Sequence, residues 1–148
     1  MQRTEMRRLL KRWKNIETEL SALYDAQKAI CDEIDSVSDL RAQRLDGMPR
    51  GSESGRPVEQ NAIRMMSLRE RYRERLDLIG NQIRELNGIR DLIERGLLFC
   101  SPDEEHLLRR HYYDGASMET VAAELEISVR KAWYMERYAI EKMIEIAD

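Results

Sequence analysis

Two runs of apolar residues spaced three and four apart, separated by a stretch that cannot continue a helix, leave this chain few folds to choose from. In the first run Met6, Leu9, Trp13, Ile16, Leu20, Leu23, Ile30, Ile34 and Val37 fall on one heptad seam, interrupted by Gln27 and ended by Arg41 and Arg44. Such spacing gathers side chains onto a narrow stripe, which is stable only when another helix covers it. A helix is therefore expected over about residues 3–45, roughly 60 Å long at 1.5 Å per residue. Residues 46–57, DGMPRGSESGRP, hold three glycines, two prolines and two serines, and read as a loop. Arg50 and Arg56 in it suit solvent or a phosphate. Val58, Ala62, Met65, Tyr72, Leu76, Ile79, Ile83, Leu86, Ile93 and Leu97 then form a second seam, with Arg69 and Arg90 as polar members.

Two heptad helices joined by a short loop should fold back as an antiparallel hairpin over residues 1–98. Counting from the loop sets Leu20 near Ile79, Leu23 near Leu76 and Ile34 near Met65, with Gln27 and Tyr72 forming a polar layer. Leu10, Tyr24, Met66, Leu68, Leu78, Ile89 and Leu92 widen the apolar face beyond the seams. Two hairpins are therefore expected to associate into a homodimer with a four-helix core.

Residues 101–148 read as a separate, compact helical domain. In Ser101-Pro102-Asp103-Glu104, Ser caps, Pro suits the first helical position, and Glu104 completes a capping box. That helix runs to about Tyr113 with Leu107, Leu108 and Tyr112 inward, and Asp114-Gly115 ends it. Ser117 caps a helix reaching Leu125. The last helix starts after Ser128 and carries Ala132, Met135, Ala139, Ile140 and Met143 on its inner stripe. Residues 117–135, SMETVAAELEISVRKAWYM, thus have helix-turn-helix spacing, with small Ala122 where the two helices cross. Glu126 stands where such turns usually hold Gly, and a left-handed backbone there costs about 1 kcal/mol.

In such units the second helix enters the DNA major groove. Turned away from its inner stripe are Arg130, Tyr134 and Arg137, flanked by Val129, Lys131 and Trp133, a cationic and aromatic set suited to phosphates and base edges. The alternative for Trp133 and Tyr134 is docking onto the hairpin or a protein. Residues 101–148 carry eleven acidic and six basic side chains, with Glu124 and Glu126 near the turn, which opposes unaided phosphate binding. Residues 1–14 carry six basic and one acidic. Arg3, Arg7, Arg8 and Lys11, with Arg12 and Lys14, would lie near Leu97 and either supply the missing positive charge or form a solvated face.

Other chemistry finds little support. Cys31 and Cys100 are too few and too separated for a disulfide framework or a thiolate site, and His106 and His111 do not share a helical face. No catalytic triad, phosphate loop or paired-carboxylate arrangement stands out, so neither an enzyme, a metal nor a cofactor is expected. No window approaches a membrane span. With no apolar signal region following the basic start, a cytoplasmic chain is expected.

Residues 107–143, LLRRHYYDGASMETVAAELEISVRKAWYMERYAIEKM, resemble region four of bacterial sigma factors. They share the Leu-rich first helix, the aromatic before a Gly turn, E-x-V-A-x-x-L-x-I-S and A-I-x-K-M. The whole layout resembles phage and prophage proteins of the RinA/ArpU type, which are late-gene transcription activators and their relatives. The resemblance implies a phage-encoded regulator that binds promoter DNA in the cytoplasm of its bacterial host and contacts host RNA polymerase. Position by position, it puts base reading on Val129, Arg130 and Tyr134, with Lys131 and Trp133 beside them. Val129 and Arg130 replace residues that are usually Arg and Glu, so the operator should differ from the sigma consensus. Two rivals stay open: a small-terminase-like packaging subunit that recognises DNA, and an interaction module that binds polymerase or another regulator.

Overall fold

The computed structural model describes the backbone of residues 1–47 and 55–148, and the side chains of these except residues 37–62, 65 and 66. The fold is all-α. Helix α1 spans Arg3–Gly47 and α2 spans Gly55–Leu98; α3 (Pro102–Leu108) runs straight into a π-helical turn, Arg109–Tyr113; α4 (Met118–Glu124) and α5 (Val129–Ala147) follow. Among the described residues there is no strand. The expected loop at 46–57 is shorter than its composition suggests. Asp46 and Gly47 end α1, while Gly55, Arg56 and Pro57 begin α2. Proline is tolerated in a first turn because its missing N–H would have no helical partner there. Arg50, the Arg56 side chain and the expected contact of Ile34 with Met65 lie outside the described residues.

The chain divides into two units, and not at residues 98–101. Unit 1 joins residues 1–20 to residues 85–148, and unit 2 holds residues 21–84. The start of α1 thus shares a unit with the end of α2, as an antiparallel helical hairpin requires. Residues 101–148 are few for a core of their own, and the C-terminal helices share one core with the start of α1 and the end of α2. Met6, Leu10 and Ile16 of α1, Ile93 of α2, Leu107 and Leu108 of α3, Val121 of α4, and Ala132 and Ile140 of α5 are all completely buried. Leu10 lies off the α1 seam and is buried because this part of α1 faces the C-terminal helices as well as α2.

Gly96 marks a close approach in that core. A Cβ built on it would meet Met143 Cε and Cγ of α5 at 2.9 Å, so α2 and α5 close to a distance only glycine permits.

Unit 2 is thinner. Ile30 and Ile83 are buried, but Leu23, Ile34, Leu76 and Ile79 are only half-buried, and Tyr24 and Leu78 are exposed. Two helices alone shield each seam from one side only. Tyr72, expected opposite Gln27, instead donates its hydroxyl to the Glu33 carboxylate, and this bond, with burial, raises its pKa. Glu33 lies six residues beyond Gln27, more than a full helical turn, so the expected polar layer is replaced by a different pair.

Candidate nucleic-acid interface

Three serines set the starts of the three C-terminal helices. Ser101, Ser117 and Ser128 each have extended backbone, and each Oγ accepts the N–H three residues on, from Glu104 at 3.2 Å, Thr120 at 3.2 Å and Lys131 at 3.1 Å. A hydroxyl in this position satisfies an N–H that the helix leaves without a partner. The capping box at Ser101 is only half formed. The Glu104 carboxylate turns inward and accepts from Lys142 Nζ of α5 at 2.9 Å, leaving its other oxygen buried and unpartnered.

Between α4 and α5 the backbone closes as a Schellman turn. The Ile127 N–H bonds to Ala122 O at 3.0 Å and the Glu126 N–H to Ala123 O at 3.2 Å. This geometry needs a left-handed residue, and Glu126 takes φ 57°. Glycine would adopt the same conformation without a Cβ clash. Glu126→Gly is therefore expected to raise stability by about 1 kcal/mol, read as a higher urea midpoint with an unchanged slope. An unchanged or lower midpoint would show that the turn costs nothing here.

The turn sends α5 out with its first half uncovered on one side. Arg130, Lys131, Trp133, Tyr134 and Arg137, all expected at the surface, are exposed, and Val129 is half-buried. Arg130 lies over the Tyr134 ring, its guanidinium carbon 5.8 Å from the centroid. Trp133 keeps 45 % of its surface exposed while one edge rests on His111, ring centroids 5.6 Å apart. Arg137 reaches Glu141 at 3.5 Å. Tyr138, which the sequence reading passed over, extends the exposed aromatic set and carries Lys142 Nζ 4.4 Å above its ring.

Behind this face lies a group the sequence reading missed. Glu136 is completely buried, and its carboxylate accepts from Arg7 Nε at 2.9 Å, Arg7 Nη2 at 3.2 Å and the Tyr112 hydroxyl at 2.9 Å. Three charge-assisted bonds from α1 and the π turn thus meet the desolvation cost of one carboxylate. Burial and the neighbouring carboxylate raise the Tyr112 pKa, keeping the phenol a donor. A carboxylate four residues after Ala132 and three before Ala139 was the available signal: Glu136 shares their inner stripe. Met135, placed on that stripe from sequence, is half-buried beside it.

The pairing also changes the reading of the basic N-terminus. Arg7, expected as a phosphate contact, is committed to Glu136, and Arg3 lies 3.6 Å from Glu141. Arg8 and Lys11 are exposed.

The π turn distributes three successive rings among three neighbours. Tyr113 meets Trp13 edge-on at 5.2 Å, Tyr112 reaches Glu136, and His111 holds Trp133 while its Nδ1 lies 2.9 Å from Ala116 O. In this wider turn successive side chains are separated by a smaller rotation than in an α-helix, and each ring still meets a different neighbour. On its other side Arg110 forms two bonds to Glu124, at 3.0 and 2.6 Å, and His106 adds one at 3.2 Å. The Arg110 bonds chiefly hold the Glu124 pKa low. Glu124 is thus an occupied partner rather than the open repulsive charge expected from sequence; Glu126 remains exposed.

A groove of about 500 Å³ runs between α1 and α5, lined by Arg7, Val129, Arg130, Trp133, Tyr134, Glu136 and Arg137. It holds all the expected α5 contacts except Lys131. The two thiols are elsewhere: Cys31 is exposed, while Cys100 is half-buried, its pKa pushed up to about 11, chiefly by burial. Among the described residues no cluster of His, Cys, Asp or Glu could hold a metal ion, and no helix is long and apolar enough to cross a membrane. No family model, curated protein or solved structure matches the chain.

Proposed function

We propose that this protein is a double-stranded-DNA-binding transcriptional regulator that places α5 in the major groove through a helix-turn-helix made by α4 and α5. The observation that carries the reading is the exposed cationic and aromatic face of α5, Arg130, Lys131, Trp133, Tyr134 and Arg137, directly after a capped tight turn. Groove insertion needs a helix whose first turns are uncovered and whose side chains can donate to phosphates and guanine edges. Neither Arg130 nor Lys131 has an ion-pair partner among the described residues, so both are available for that role. The likeness to sigma region four and to RinA/ArpU-type proteins supports a phage origin and a contact with host RNA polymerase.

The half-buried seams and exposed Tyr24 and Leu78 of unit 2 support a homodimer through the hairpin, which would set the spacing of two recognition helices on a two-half-site operator. Binding to duplexes from the source genome, followed by fluorescence anisotropy, tests the reading. Wild type should bind in a salt-sensitive manner at two chains per duplex. Arg130→Ala with Lys131→Ala should weaken binding at least tenfold, about 1.4 kcal/mol. Salt-insensitive or absent binding, or a double variant equal to wild type, would refute it.

A further inference from the structure

The six cations at the start of α1 do not play equivalent parts. Arg3 and Arg7 bind Glu141 and Glu136 of α5. Because the partner number falls as the α1 number rises, the two helices run antiparallel along this contact. Lys11 and Lys14 follow Arg7 by four and seven residues, which places them on the same face of α1, one and two turns further on. Continuing the register brings them level with the first two turns of α5, where Arg130 and Lys131 stand. Both lysines are exposed, and neither has an ion-pair partner among the described residues, whereas Arg12 on the opposite side lies 3.9 Å from Glu19. The groove that Arg7 shares with Arg130, Trp133, Tyr134 and Arg137 sets the N-terminal part of this α1 face beside the exposed face of α5.

We propose that α1 is a second DNA-contacting element, whose Lys11 and Lys14 ammonium groups hold backbone phosphates of the duplex that α5 reads. This rests on the function proposed for α5. The buried Glu136 carboxylate takes Arg7 out of phosphate contact and uses it to fix α1 beside the recognition helix; the two unpaired lysines supply the charge that residues 101–148 lack. A point charge on a flexible stem suits a phosphate, which carries no sequence information.

The test is a salt series. Anisotropy of a labelled duplex is measured from low to moderate NaCl for wild type, for Lys11→Gln with Lys14→Gln, and for Arg130→Ala. Each lysine removed should lower the slope of log affinity against log salt by about 0.9. The loss should be the same on the preferred duplex and on an unrelated one, whereas Arg130→Ala should reduce the difference between the two duplexes. Because both lysines are exposed, circular dichroism should be unchanged. A slope that survives both substitutions overturns the proposal and leaves the α5 reading standing. If wild type binds no duplex, both are overturned.

Discussion

Arg7→Ala is expected to destabilise unit 1 by about 3 kcal/mol, measured by urea unfolding at neutral pH, with loss of the native near-ultraviolet signal from Trp13 and Tyr112. The reason is Glu136. Its carboxylate is completely buried while the Arg7 side chain is 37 % exposed, so truncating the arginine removes two of three bonds and strands a charge inside the protein. Removing one partner of a buried pair costs about 3–5 kcal/mol, and water reaching the vacated arginine site should hold the loss near the lower end. The companion substitution decides whether charge or packing is responsible. Glu136→Gln in the Arg7→Ala background has no carboxylate to strand and should recover most of the loss.

A loss for Arg7→Ala that is not recovered by Glu136→Gln would mean that Arg7 acts through its apolar stem alone.

The second large effect is expected at Gly96. Leucine there must pass Met143, whose Cγ and Cε already lie 2.9 Å from an idealised Cβ and whose own Cβ lies at 3.2 Å. The far end of Met143 can swing away, but its Cβ is fixed to α5, so the two helices must part. Overpacking of this kind costs about 1–3 kcal/mol; the gain of up to about 1 kcal/mol from replacing a helical glycine offsets only part of it. Gly96→Leu should therefore lose about 1–2 kcal/mol. Gly88, on the same helix with nothing within 4 Å of a built Cβ, is the control: Gly88→Ala should gain slightly from helix propensity. Met143→Ala should make Gly96→Leu better tolerated, because the pair is in direct contact and the effects are then non-additive. Equal effects at the two glycines would show that α2 and α5 do not approach closely.

Much of this architecture could be read directly. The two seams predicted α1 and α2 to within a few residues at their outer ends, and the three serines placed the starts of α3, α4 and α5 because a hydroxyl before a periodic apolar run has one common use. Glu126 stands at the turn position that usually holds glycine, and its backbone is left-handed there. The division of the chain was not legible. Nothing in residues 101–148 states that they share a core with Met6, Leu10 and Ile93, since burial against a distant segment leaves no local period. The partner of Tyr72 was also missed, because counting outward from an assumed loop does not fix the register of two helices.

For the candidate interface the same line can be drawn. The exposed set on α5 follows from a 3.6-residue period, so the sequence by itself determined which of its side chains face away from the core. Tertiary structure alone decided which cations remain available. Arg3, Arg7, Arg110 and Lys142 look as free as Lys11, Lys14, Arg130 and Lys131 when the chain is read in order. The first four are spent on Glu141, Glu136, Glu124 and Glu104, three of them carboxylates more than twenty-five residues distant. Charge pairing is set by distance through space, and only the folded chain brings those carboxylates within reach.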